Sequence, residues 1–221
     1  MTTVAQVGQA VQPLLQRNPD LALVGRLLVI KPVHHILRGV DVDRSLDPKL
    51  FVPTWSVIFL FEPREHFGYR WGERVYHPSG IWDVTDPDLP ALMCEAIENQ
   101  ALHPMRSIKT IDDFVRFTSK ERFPDTHLDL YELTKIFVDV ARGHLAAARS
   151  GCDYLTTDRA RRWYLPDMQE RYDRVMQELC PLIAANERTG LAHCLHRYEA
   201  QTVKNLKLEK FWQPTPFPIE S

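Results

Sequence analysis

Apolar residues fill the stretch Trp55-Ser56-Val57-Ile58-Phe59-Leu60-Phe61 at odd and even positions alike. With β-branched and aromatic side chains on both faces, it predicts a central strand covered on each side. Upstream, Leu23 to Ile30 reads as a strand, Lys31-Pro32 interrupts it, and Val33 to Arg44 continues as a second extended segment. In that segment His34, Ile36, Arg38, Val40 and Val42 share one face; Val33, His35, Leu37, Gly39, Asp41 and Asp43 share the other. Ser45-Leu46-Asp47-Pro48 makes a turn, Pro53 opens the central strand and Glu62-Pro63 closes it. His66 to His77 reads as a further hairpin turning at Gly72. Three or four antiparallel strands in sequence order make a meander the simplest topology.

Helical spacing surrounds this region. Residues 2 to 17 carry Val4, Val7, Val11, Leu14 and Leu15 as a stripe, with Thr2 or Thr3 as cap and a kink or break expected at Pro13. After His77-Pro78-Ser79-Gly80 the pattern turns wholly helical. Asp88-Leu89-Pro90 opens one helix that ends at His103-Pro104, and Thr110 to Asp113 reads as a capping box. The longest clean helix is expected from Asp125 or Thr126 to about Ser150, with Leu130, Leu133, Phe137, Val140, His144 and Ala147 inward. Pro166 opens another, which Pro181 bends or ends, and Thr189-Gly190 leads into the last. The fold class is therefore α+β: a meander sheet near the N-terminus, packed by the first helix and a larger C-terminal helical section. We expect one domain over residues 1–221, with helix plus sheet in 1–83, a helical extension in 84–210 and a proline-rich apolar tail in 211–221.

Composition narrows the partner classes. Lys and Arg number 27 against 29 for Asp and Glu, so the net charge of −2 gives no electrostatic reason to expect nucleic acid. Neither a signal peptide nor an apolar run of membrane-spanning length is visible, which points to a soluble cytoplasmic protein. Cys94, Cys152, Cys180 and Cys194 are widely spread, a pattern that suits reduced thiols. The apolar tail from Phe211 to Ile219 is expected to lie extended against this chain or a partner copy, which motivates a homodimer.

Candidate chemistry is sparse. Asp41 and Asp43 sit on one strand face ~7 Å apart, close enough to share a divalent cation through waters. The pair superficially looks like the D-x-D opening of haloacid-dehalogenase-type phosphatases. That family also needs parallel βαβ repeats, a downstream lysine and a late acidic G-D pair, none of which is recognisable in this chain. The bland alternative is a solvated strand end. His193 and His196, three apart on a helix, could chelate one ion, with Glu199 extending the face. No third ligand of a known zinc motif accompanies them, and a surface histidine pair explains them as well. Arg159 to Tyr164 (Arg159, Ala160, Arg161, Arg162, Trp163, Tyr164) mixes cations with aromatics, the chemistry of RNA contacts, but neighbouring carboxylates offset its charge. His34 and His35 alternate faces, and one is expected at the core edge bonded to a backbone carbonyl.

The segment Phe67 to Trp82 ranks first. Tyr69, Arg70, Trp71, Arg74 and Trp82 combine aromatic and arginine side chains in a loop-rich zone, the mixture that interaction surfaces enrich. No nucleotide-binding glycine motif or nucleophile elbow occurs, and no cofactor is implied. The reading is a non-catalytic binding module with a protein partner. A metal-dependent hydrolase using Asp41 and Asp43 or His193 and His196 is the alternative, and RNA binding through Arg159 to Tyr164 a weaker one.

Overall fold

A computed structural model describes residues 3–44, 47, 49–78, 80–157, 160 and 166–221. The fold is α+β. Helix α1 (Val4–Arg17) precedes strands β1 (Leu21–Val24), β2 (Leu27–Ile30), β3 (Ile36–Arg44), β4 (Leu50–Phe59), β5 (Gly72–Arg74) and β6 (Trp82–Asp83). The sheet is an antiparallel meander in the order β1-β2-β3-β4-β5, with β6 also paired to β4. Helices follow: α2 (Leu89–Ile97), α3 (His103–Ser107), α4 (Ile111–Phe117), α5 (Glu132–Ala141), α6 (Leu145–Leu155), α7 (Pro166–Arg174), α8 (Cys180–Ala184) and α9 (Arg188–Asn205). The chain forms two compact units. Met1–Phe59, Glu65–Phe114 and Val203–Gln213 make the first; Leu60–Arg64, Val115–Thr202 and Pro214–Ser221 make the second.

The first unit is built on β3 and β4, paired without interruption from Ile36↔Phe59 to Arg44↔Phe51. Trp55, Val57, Ile58 and Phe59 are all buried, as a strand apolar on both faces requires. Leu23 to Ile30, expected as one strand, is a hairpin. Gly25, at φ +64°, supplies the left-handed turn residue between β1 and β2. Gly72 is not a hairpin tip but the start of β5. A Cβ there would fall on the Trp55 carbonyl oxygen and lie 2.6 Å from Ser56 Cα, so only glycine permits this approach to β4. Thr3 and Gln6 form a capping box on α1, and the helix runs unbroken through Pro13, whose ring removes one donor but does not end it. Thr110 and Asp113 form the expected second box, each side chain accepting from the other's backbone N–H at 3.1 and 2.9 Å.

In the second unit the long helix expected from residue 125 is divided. Gly143, at φ +74°, ends α5, and its amide donates to Val140 O while the His144 amide reaches Asp139 O. The divided helix turns its ends away from the predicted stripe: Leu130, His144 and Ala147 are exposed rather than inward. Cys152 and Cys180 are joined in a disulfide, so the reduced-thiol expectation is corrected for that pair; Cys94 and Cys194 are free. Their separation of 28 residues carries no signature that could have paired them in advance.

The tail is covered by its own chain. Within the first unit, Val33 and Trp212 form a parallel bridge, with Val33 N donating to Phe211 O and Gln213 N to Val33 O, each at 2.9 Å. Within the second, Phe217 packs edge-on against Phe61 at 5.4 Å, and both Phe217 and Ile219 are buried. Phe211 and Trp212 are half-buried. Among the described residues no helix is long and apolar enough to cross a membrane.

Trp71 is a keystone of the first unit, wedged edge-on against Phe114 at 5.0 Å and 6.2 Å from Phe59. Trp71→Ala should cost about 3–5 kcal/mol in urea denaturation. Tyr76→Ala, on the exposed side of the same segment, should stay within about 0.5 kcal/mol of the parent.

Candidate functional site

The aromatic segment splits between core and surface. Trp71 is 1% exposed and Trp82 4%. The Trp71 carbonyl accepts from Val57 N at 3.0 Å and Ser56 Oγ at 3.2 Å. Trp82 donates from Nε1 to Val75 O at 2.8 Å and stacks on Phe51. Both tryptophans therefore leave the predicted contact surface: Trp71 is buried against Phe114 and Phe59, and Trp82 against Phe51 and His77. Tyr69, Tyr76 and Ile81 do face solvent, at 43, 68 and 67% exposure. Arg74 is exposed beside them, and the half-buried Arg70 holds its guanidinium 5.4 Å from the Trp71 ring. Gln100 clamps the Tyr76 backbone, accepting from its N at 2.8 Å and donating to its O at 2.9 Å. Gly72 to Arg74 are held by pairing to β4, and the Tyr76 backbone by Gln100.

Tyr69 also meets Asp41, which no sequence spacing connects. Its hydroxyl donates to Asp41 Oδ2 in a pocket of about 420 Å³ that Arg26, Glu65, His66 and Phe67 also line. Burial raises the Asp41 carboxyl above its ordinary pKa, the Asp43 charge adds to this, and the Tyr69 hydrogen bond opposes it. The Tyr69 phenol is raised too, by burial and by its acidic acceptor. Asp43 stays exposed at the strand end.

His193 and His196 lie on α9 and line a pocket of about 530 Å³ with Arg188, Thr189 and Glu220. His196 Nε2 is 2.8 Å from Glu220 Oε1, and that oxygen also accepts from Phe217 N at 2.7 Å. Glu199 does not extend this face; it is fully buried. Among the described residues no group of three or more His, Cys, Asp or Glu could hold a metal ion. Of Arg159 to Tyr164, only Ala160 lies within the described residues, so the structure carries nothing on that candidate.

Two polar clusters escaped the sequence reading. In the second unit Glu62, 2% exposed, accepts from Arg171 Nη2, from Arg64 Nη2 at 2.8 Å and from Thr134 Oγ1 at 3.5 Å. Burial pushes the Arg64 guanidinium down to about 10. The carboxylate is fully engaged by side chains of its own unit. In the first unit Arg38, 9% exposed, donates to Pro32 O and Ile108 O at 3.2 Å each and lines a pocket with His34, Arg106 and Lys109. An arginine on the otherwise apolar His34-to-Val42 face was the available signal for it. The expected features are divided between the two histidines: His34 donates from Nδ1–H to Gln213 O at 2.9 Å, while His35 is the buried one at 9% exposure. Family models, curated proteins and solved structures give no match to this chain.

Because Asp41 binds its proton more tightly folded than unfolded, its contribution to stability falls as pH rises from the ordinary aspartate value through the raised one. Asp41→Asn should therefore gain on the parent at neutral pH, with the difference closing below about pH 4, as chemical denaturation across pH would report. Glu62→Gln should instead lose about 3 kcal/mol or more at pH 7 by the same measurement, because two partly buried guanidiniums lose the carboxylate they share.

Proposed function

We propose that the protein is a non-catalytic binding module that recognises a protein partner through the sheet edge from Tyr69 to Ile81. One observation carries the reading: of the six large apolar side chains exposed among the described residues, three (Tyr69, Tyr76 and Ile81) lie on this one segment. Arg70 and Arg74 accompany them, which is the aromatic-plus-arginine mixture of binding hot spots. Backbone pairing to β4 holds Gly72 to Arg74 and the Gln100 clamp holds Tyr76, which lowers the ordering entropy that opposes association at these positions. Metal-dependent hydrolysis has less support, since His196 is already bonded to Glu220 and Asp41 to Tyr69.

A photo-crosslinking residue placed at Tyr76 or Ile81 in cells should give one discrete protein adduct, and the same probe at Leu130 or Tyr154 should give none. Once the adduct's partner is purified, Arg74→Ala with Tyr76→Ala should weaken its binding about 10- to 100-fold. Absence of an adduct at both edge positions, or the same bands from all four, would sink the proposal.

A further inference from the structure

The pocket beside the β2–β3 connection, about 440 Å³, has a polar lining of Lys31, His34, Arg38, Arg106, Lys109 and Asp20. Four permanent cations thus face one carboxylate. That carboxylate is already taken: Arg106 grips Asp20 with Nε to Oδ2 at 2.9 Å and Nη2 to Oδ1 at 2.8 Å, and holds Asn18 Oδ1 at 2.7 Å. No carboxylate among the described residues forms an ion pair with Lys31, Arg38 or Lys109. Arg38 is the decisive member. A guanidinium withdrawn from water to this degree ordinarily has an anion against it, yet its two Nη bonds go to neutral carbonyls and its buried Nε has no acceptor. Burial accordingly lowers its pKa, with the Asp20 charge working in the opposite direction.

We propose that this pocket binds a small soluble phosphate-bearing molecule, its phosphate set against Arg38 and Arg106 and flanked by Lys31 and Lys109. A phosphate dianion offsets this excess of cations better than a single carboxylate, and each Arg38 Nη keeps a second N–H beyond its carbonyl bond. The volume is that of a small-ligand site. Ile30 and Pro32 give the organic part an apolar wall, and the lining contains no aromatic ring other than His34 on which a nucleobase would stack. A lipid headgroup is disfavoured because none of the large exposed apolar side chains lines the pocket. The site is independent of the partner-binding edge: Arg38 and Asp41 are three residues apart on β3 and so lie on opposite faces of the strand.

Isothermal titration of the full chain with pyrophosphate and with glycerol 3-phosphate, in low-salt buffer free of phosphate, tests this. Both probes should bind saturably at one site, and more weakly in 0.5 M salt, as about a 3 Å Debye length near 1 M implies. Lys31→Ala with Lys109→Ala, at the pocket mouth, should weaken binding about tenfold or more. Asp20→Asn should strengthen it several-fold by removing the one competing carboxylate, a gain that a purely structural Asp20–Arg106 pair would not produce. The proposal is overturned if neither probe binds saturably, or if the lysine double variant binds as the parent does. It also fails if phosphatidic acid in phosphatidylcholine vesicles binds while both soluble probes do not.

Discussion

The register between β3 and β4 is the constraint on which the first unit depends. Nine consecutive pairs fix it, from Ile36↔Phe59 to Arg44↔Phe51. Side chains alternate along a strand, so a slip of one residue would exchange its two faces. In this register Val40 and Val42 enter the core, Arg38 is carried to the cationic pocket and Asp41 to Tyr69. Both polar sites of the unit are consequences of one ladder. Its register is held by the apolar surface that would be lost on slipping.

The two units treat buried charge in opposite ways. Glu62 is enclosed by two guanidiniums and a threonine, and such a network repays much of its desolvation only while every member is present. Arg38 is almost as deeply buried but has only carbonyl oxygens as acceptors, with Lys31 and Lys109 adding like charge around it. A closed network of the first kind supports the fold. An open one of the second kind leaves an electrostatic demand that a ligand can meet, and perturbed charge in a concave site is where binding function is to be sought.

The element types were legible because they rest on local periodicity. The run from Trp55 to Phe59, the α1 stripe with its Thr3 cap and the Thr110–Asp113 box all follow from spacing and from hydrogen bonds within a few residues. The misplaced boundaries have equally local causes with a weaker signal. Gly25 and Gly143 adopt left-handed conformations, one making a hairpin of an expected strand and the other dividing an expected helix. Pro13 shows the reverse, since its missing donor did not break α1. Composition does not show that Trp71 and Trp82 are buried, because the rings that cover them, Phe114 and Phe59 for the first and Phe51 for the second, come from other parts of the chain.

Sequence alone determined the α+β class, the meander order and the strand centred on Trp55 to Phe59, because a period of two or of 3.6 is written into neighbouring residues. Tertiary structure decided which side chains meet: Asp41 with Tyr69, Glu62 with Arg171 and Cys152 with Cys180, while Arg38 and Lys109 come to line one pocket. The three bonded pairs are separated by 28 to 109 residues. No local pattern encodes such a meeting; it follows only once strand register and helix packing have placed the backbone.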